Sequence, residues 1–273
     1  MGRQELISGF QGRYFQIIRN LKSWSYFEWI FFFIVIPVIL FLIYLLPQNI
    51  KDNFFIFDTT QLFRFQTYLL NEYTHSTFDH IFGNFKIYLI ALLAIFAFED
   101  NKRRFTIMAA SALLLVPIIA AILTVIFWNL IGKNTVSQGF SGITAAFMAY
   151  ALTIFIVWAM HDFLPMLKHP EKFIGRQQIG YFAICALVAF AFAIITSMGL
   201  LLGSFVGGEN FVNNGVAHFG GFVTGMIVFL LCDLISQNRN FNFDVIFSMA
   251  IIIGVLTYIP YLLKVMEMAK GLK

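Results

Sequence analysis

The side chains that could do chemistry are few, and they sit in apolar surroundings: His75, His80 and Asn84 in one segment, Ser141 in a second, His218 in a third. A polar group inside a membrane span is expensive to bury, so it is a candidate functional group from the outset. Ser141 lies in Gly139-Phe140-Ser141-Gly142, where an apolar run begins. A serine on the first turn of a helix stands among unpaired backbone N–H groups at the positive end of the dipole. There its hydroxyl can attack a carbonyl while its own N–H steadies the oxyanion that forms. Alone, this short pattern is a weak signal, because Ser and Gly are common at helix starts. It also differs from the five-residue elbow of soluble hydrolases in glycine spacing and in having no strand before it.

His80 and Asn84 are one helical turn apart and project from one face. Two side-chain donors there could hold developing negative charge, or could simply hydrogen-bond neighbouring helices. Thr74, Ser76 or Thr77 can cap that helix. His218 is followed by Gly221 and Gly225, a glycine spacing that lets another helix approach closely. One turn above Gly221, His218 faces the same neighbour and could act as the base for a serine across that contact.

These groups must be held by membrane helices. The chain is 60% hydrophobic and 12% charged over 273 residues, whereas a soluble domain carries about 25% charged residues. Apolar runs long enough to cross a bilayer core of about 30 Å recur along it. We read seven spans: Phe27–Leu46, Thr77–Phe98, Phe105–Leu130, Ser141–Met160, Ile179–Leu202, Val216–Ile235 and Val245–Leu263. The expected class is an all-α polytopic membrane protein. Residues 1–26 fit an amphipathic helix on the membrane surface or a basic flank of the first span. No cleavable signal peptide is expected. The connection from Pro47 to Ser76 is long enough to predict structure of its own. The net charge of +4 is scattered, and no basic block points to nucleic acid. Cys185 and Cys232 lie inside apolar runs, so neither a disulfide framework nor thiol catalysis is implied. No cofactor is expected.

Charge placement orients the spans. Arg3, Arg13, Arg19 and Lys22 precede the first; Lys102, Arg103 and Arg104 follow the second; Lys168, Lys172 and Arg176 follow the fourth; Arg239 follows the sixth. The opposite connections carry Lys51, Arg64 and Lys133. The N-terminus is therefore expected in the cytoplasm. Lys264, Lys270 and Lys273, after the seventh span, run against the rule. Lys86, within the second span, is assigned to snorkelling. On this topology the second, fourth and sixth spans all run inward from the outer face. Their polar residues then share one depth, and together they form the part list for acyl transfer.

In these motifs the chain resembles the rhomboid family of intramembrane serine proteases. The family pattern is His-x4-His-x3-Asn on the second span, matched by His75, His80 and Asn84. It continues with Gly-x-Ser-Gly at the fourth, matched by Gly139, Ser141 and Gly142, and with Ala-His-x2-Gly-x3-Gly on the sixth, matched by Ala217, His218, Gly221 and Gly225. The resemblance implies a six-helix core over 27–235, with 236–273 adding a linker and a seventh helix. It implies Ser141 as nucleophile, His218 as base, and His80, Asn84 and the Ser141 N–H as the oxyanion hole. His75 would be structural beneath the outer loop, and Arg64 would anchor that loop. The implied activity is endopeptidase cleavage of transmembrane protein substrates within the lipid bilayer of a cell membrane, toward its extracytoplasmic face. The fifth span and the Gly203–Asn214 connection would gate and cap the site. Departures are Ala145 where the family often has Tyr, Phe63 where Trp usually precedes the loop arginine, and Ile95 and Arg103 where glycines usually flank an inner acid, here Glu99. Two other readings are a metalloenzyme using His75, His80 and His218, and a transporter or inactive rhomboid-like binding protein. For the metalloenzyme, the chain has no His-Glu-x-x-His, and within the spans no carboxylate but Asp79 accompanies the histidines.

Overall fold

Capping residues set where the helices begin. The computed structural model describes the backbone of residues 15–130, 132, 134–168 and 212–235, and side chains over 15–130, 132, 134–157 and 216–232. Residues 15–23 form a short helix, α1. Ser25 then opens α2, Tyr26–Tyr44, with a reciprocal cap: its hydroxyl accepts from the Glu28 N–H, and Glu28 accepts from the Ser25 N–H at 2.6 Å. Pro37 has no N–H to give to the preceding turn. The helix passes this point through a π-turn at Phe31–Val35, in which the Ile36 N–H reaches back to the Phe31 carbonyl.

The connection to the next long helix holds α3 (Gln48–Phe54), the two-residue strand β1 (Phe57–Asp58), α4 (Phe65–Leu70) and a 3₁₀ turn at Asn71–Tyr73. Then come α5 (Phe78–Phe98), α6 (Lys102–Leu130), β2 (Val136–Ser137), α7 (Ser141–Lys168) and α8 (Val212–Ile235). Thr77 caps α5, its side chain accepting from the His80 N–H. Asn101 caps α6, its side chain taking the Arg104 N–H at 3.0 Å and its carbonyl the Phe105 N–H at 3.1 Å. That cap carries the third predicted span through the basic residues before Phe105. The fourth continues past Met160 to Lys168, the sixth begins at Val212, and the first ends at Tyr44. The predicted fifth and seventh spans lie outside the described residues, as does Cys185. Cys232 is partly buried and makes no disulfide.

The described chain is mostly helical with little sheet, and α2, α5 and α6 are long and apolar enough to cross a membrane. Shorter apolar helical stretches run over Ser141–Val157 and Val216–Cys232. The outward faces of the long helices carry Ile34, Leu42, Leu93, Leu114 and Ile122, all exposed, as lipid contact requires. Lys86 is exposed on α5 with its ammonium 5.0 Å from the Phe82 ring centroid, so it lies back along the helix over an aromatic face.

α7 sits in the middle, buried at nearly every position from Ser141 to Phe155, against α5, α6 and α8. Tyr88 of α5 packs edge-on against Phe140 and Phe147. α8 lies closest. A Cβ at Gly221 would collide with the Gly142 carbonyl, and one at Gly225 with the Ala146 carbonyl. The two backbones are therefore in direct contact, which only small residues on both helices allow.

At the other end of the bundle, Glu99 follows α5 and is 1% exposed. Arg104 grips it through two hydrogen bonds of 3.0 and 2.8 Å, and the Tyr150 hydroxyl donates to it at 2.6 Å. The Asn101 N–H adds a fourth at 2.7 Å. The guanidinium also lies 4.6 Å from the Phe229 ring centroid. This cluster ties α5, α6, α7 and α8 together. α1 docks nearby: Asn20 and the Trp24 indole donate to the Ala97 and Phe96 carbonyls.

Candidate active site

The segment running into Ser141 is held almost wholly by the connection between α2 and α5. β1 pairs antiparallel with β2, Phe57 opposite Ser137 and Asp58 opposite Val136. Thr59 extends the contact, donating to the Thr135 carbonyl and accepting from the Thr135 N–H. The Gly139 N–H goes to the Asn71 carbonyl at 3.1 Å and the Phe140 N–H to His75 Nε2 at 3.2 Å. The Gly142 N–H goes to Glu72 Oε2 at 2.8 Å, and the Ile143 N–H is also held by that carboxyl. These are the amides that a helix start otherwise leaves unpaired.

The connection is itself anchored on α6. Pro117 supplies no N–H, so the Leu113 carbonyl one turn back lacks its helical partner. The Tyr73 hydroxyl donates to that carbonyl, and the Asn71 side chain donates to Pro117 O at 3.2 Å. Arg64 donates to the Asp52 carbonyl at 3.0 Å, joining the start of α4 to α3. Its contact is within the connection, away from Ser141.

Ser141 is 4% exposed, and its hydroxyl has no hydrogen-bond partner among the described residues. Gly139 has φ +133, a conformation favouring glycine. A Cβ there would lie 2.9 Å from His80 Cε1 and 3.8 Å from Ser141 Oγ. His80 thus lies over the Gly139 backbone beside the Ser141 hydroxyl. Asn84 Nδ2 lies 2.9 Å from His75 Nε2. That nitrogen also receives the Phe140 N–H, so it is the acceptor and the His75 proton sits on Nδ1. One Asn84 donor is therefore directed at His75. The His75 and His80 rings meet edge to face at 5.1 Å.

His218 is 6% exposed on α8. The preceding carbonyl, of Ala217, lies 3.1 Å from where a Gly142 Cβ would be, and Gly221 packs on Gly142 one turn further along. His218 is therefore brought to the first turn of α7, and it lies within electrostatic reach of His80. Ala145 is fully buried beside Ala149, Leu152 and Phe222, with Phe219 against them. The fifth span and most of the Gly203–Asn214 connection lie outside the described residues.

Groups in the connection outside the helical spans have altered titration. Burial holds His75 well below the usual imidazole range, and the nearby His80 adds to this. Burial pushes the Glu72 carboxyl up to about 8, opposed by the Gly142 and Ile143 N–H groups. Glu72 is the site residue that motif reading passed over. Its sequence signal was a carboxylate inside an aromatic, largely apolar connection, next to the histidine motif.

No known protein-family model, curated protein or solved structure matches the chain. The site must be read from its own chemistry.

Proposed function

We propose that the chain is a serine endopeptidase of the rhomboid type, cleaving transmembrane protein substrates inside the bilayer. The observation that carries this reading is the meeting of three helix ends. The Ser141 hydroxyl is unbonded among the described residues, His80 overlies the adjacent glycine, and the Gly142–Gly221 contact draws α8 and His218 to the same turn. Ser141 Oγ attacks the scissile carbonyl carbon while His218 takes its proton. The oxyanion is met by the Ser141 N–H and the side chains of His80 and Asn84. Collapse breaks the C–N bond, the proton from His218 goes to the leaving amine, and an acyl-enzyme remains. Water, deprotonated by His218, then releases the acid and restores Ser141. A substrate helix must unwind locally to present its carbonyl, which favours small or helix-breaking residues near the cut. The N-terminus is cytoplasmic in this reading and the site opens toward the extracytoplasmic face. The core is six-helical, with a seventh helix at the C-terminus.

The test is labelling of detergent-purified protein by a fluorophosphonate. Wild type takes the label at Ser141, and Ser141→Ala and His218→Ala do not. Labelling that survives both substitutions ends the dyad assignment.

A further inference from the structure

The proposed chemistry makes no use of the carboxyl group nearest to it. Glu72 is 1% exposed, and its Oε2 accepts from the Gly142 N–H at 2.8 Å. A Cβ on Gly142 would lie 2.7 Å from that oxygen, so the carboxyl rests directly on the backbone of the Ser141 turn. The Ile143 N–H is held by the same group. On the other side of Ser141, the Gly139 and Phe140 N–H groups are held by Asn71 and His75. The amides on both sides of Ser141 are thus occupied, and its own N–H has no acceptor among the described residues.

We propose that Glu72 is a positioning residue: by holding the Gly142 and Ile143 N–H groups, it fixes the first turn of α7 so that the Ser141 hydroxyl and N–H are the groups presented to a substrate. This rests on the reading of Ser141 as nucleophile. A carboxyl suits the task better than a water, because it spans two successive amides from a segment that is itself anchored on α6 through Tyr73 and Asn71.

The state of the carboxyl decides whether it also helps the chemistry. Neutral, it still accepts through its carbonyl oxygen. Ionised, it sets a full negative charge beside the developing oxyanion and opposes it. Burial favours the neutral form up to about pH 8. Among the described residues, few groups share its field. On its own segment there is Tyr73, whose phenol is raised by burial and by Glu72. The α7 turn presents the Gly142 and Ile143 amides, and α8 presents the Ala217 carbonyl beside them. The folded value lies above that of an ordinary glutamate, 4.5. The contribution to stability is therefore full below about 4.5 and is lost as pH rises toward about 8.

The experiment measures the rate of fluorophosphonate labelling at Ser141 between pH 6 and 9, with thermal unfolding alongside. Glu72→Gln keeps an acceptor without the charge. It should label at nearly the wild-type rate at pH 7 and hold that rate above about pH 8, where the wild-type rate is expected to fall. Glu72→Leu should label at least roughly tenfold more slowly, since a misaligned turn sacrifices transition-state contacts. The proposal is overturned if Glu72→Gln keeps the wild-type alkaline fall, if it is as slow as Glu72→Leu, or if folded Glu72→Leu labels at the wild-type rate. Wild-type protein that takes no label at Ser141 removes this proposal and the nucleophile reading together. Normal wild-type labelling with any of the three overturning results removes this one alone.

Discussion

The two ends of the bundle around the Ser141 helix treat buried polar groups differently. Near Tyr150, Glu99 receives hydrogen bonds from Arg104, Tyr150 and the Asn101 N–H. Near Ser141, four buried polar atoms have no hydrogen-bond partner among the described residues: Asn71 Oδ1, Thr74 Oγ1, His75 Nδ1 and Ser141 Oγ. Buried polar groups are normally paired, so such a concentration at one end needs a reason. A saturated cluster has no capacity left for a ligand, and its natural role is to lock helices together. Groups left with bonding capacity are those that can meet a substrate or water. The same bundle thus serves structure at one end and, in the proposed reading, chemistry at the other.

Exchanging the damage at the two ends is the strongest way to break this comparison. Ser141→Ala is expected to lower turnover at least about 10⁴-fold, roughly 5.5 kcal/mol of transition-state stabilisation. Stability should not fall, because the lost hydroxyl has no described partner. Glu99→Ala should do the reverse. It leaves Arg104, 13% exposed at its side chain, without its principal counter-charge. Removing one member of a buried pair costs about 3–5 kcal/mol. Turnover per folded molecule should be retained. Cleavage of a transmembrane reporter and thermal unfolding, measured on both variants, decide the matter. A stable but inactive Glu99→Ala would mean that the two ends are not separable.

The contact between α7 and α8 provides a finer test, because it supports both ends. Gly225→Ala drives a methyl group into the Ala146 carbonyl. Backbone cannot step aside as a flexible side chain would, and overpacking of this kind costs about 1–3 kcal/mol. Gly83→Ala on α5 meets nothing within 4 Å, and should gain about 0.5–1 kcal/mol from helix propensity. Thermal unfolding of the two variants should therefore move in opposite directions. If Gly225→Ala is as stable as wild type, the helices are further apart than described.

What was legible beforehand follows from the range over which each residue acts. The glycine spacing at Gly221 and Gly225 predicted a close helix neighbour, and α7 fills that place in backbone contact. The Thr77 cap was legible because a cap acts within one turn. Helix ends near charges were not. Asn101 and its cap admit Lys102 to α6, although the charges there read as a loop. Glu72 was passed over as a site residue, because its partners at Gly142 and Ile143 lie far along the chain. No local period reports such a pairing. The same holds for Tyr150, whose bond to Glu99 crosses from one helix to another. Helix geometry put Asn84 on one face with His80, and the family resemblance implied an oxyanion donor there. That geometry gives the face on which it lies, but not the His75 nitrogen at which its amide is aimed.

Thr74 offers the smallest effect and the sharpest sign. Its side chain is fully buried and its hydroxyl has no hydrogen-bond partner among the described residues. A hydroxyl buried in this way carries a desolvation penalty that no bond offsets. Valine has nearly the same shape without the oxygen. Thr74→Val should therefore leave stability unchanged or raise it by about 1 kcal/mol. Thr124 is the matched control, equally buried but donating to the Ala120 carbonyl at 2.7 Å. Thr124→Val should lower stability by about 1 kcal/mol, since it removes a made bond. Thermal unfolding of the two variants in one detergent reads the difference directly. If Thr74→Val loses as much as Thr124→Val, the Thr74 hydroxyl is bonded after all, to ordered water or to a residue beyond those described. The contrast between the two ends would then rest on Asn71, His75 and Ser141.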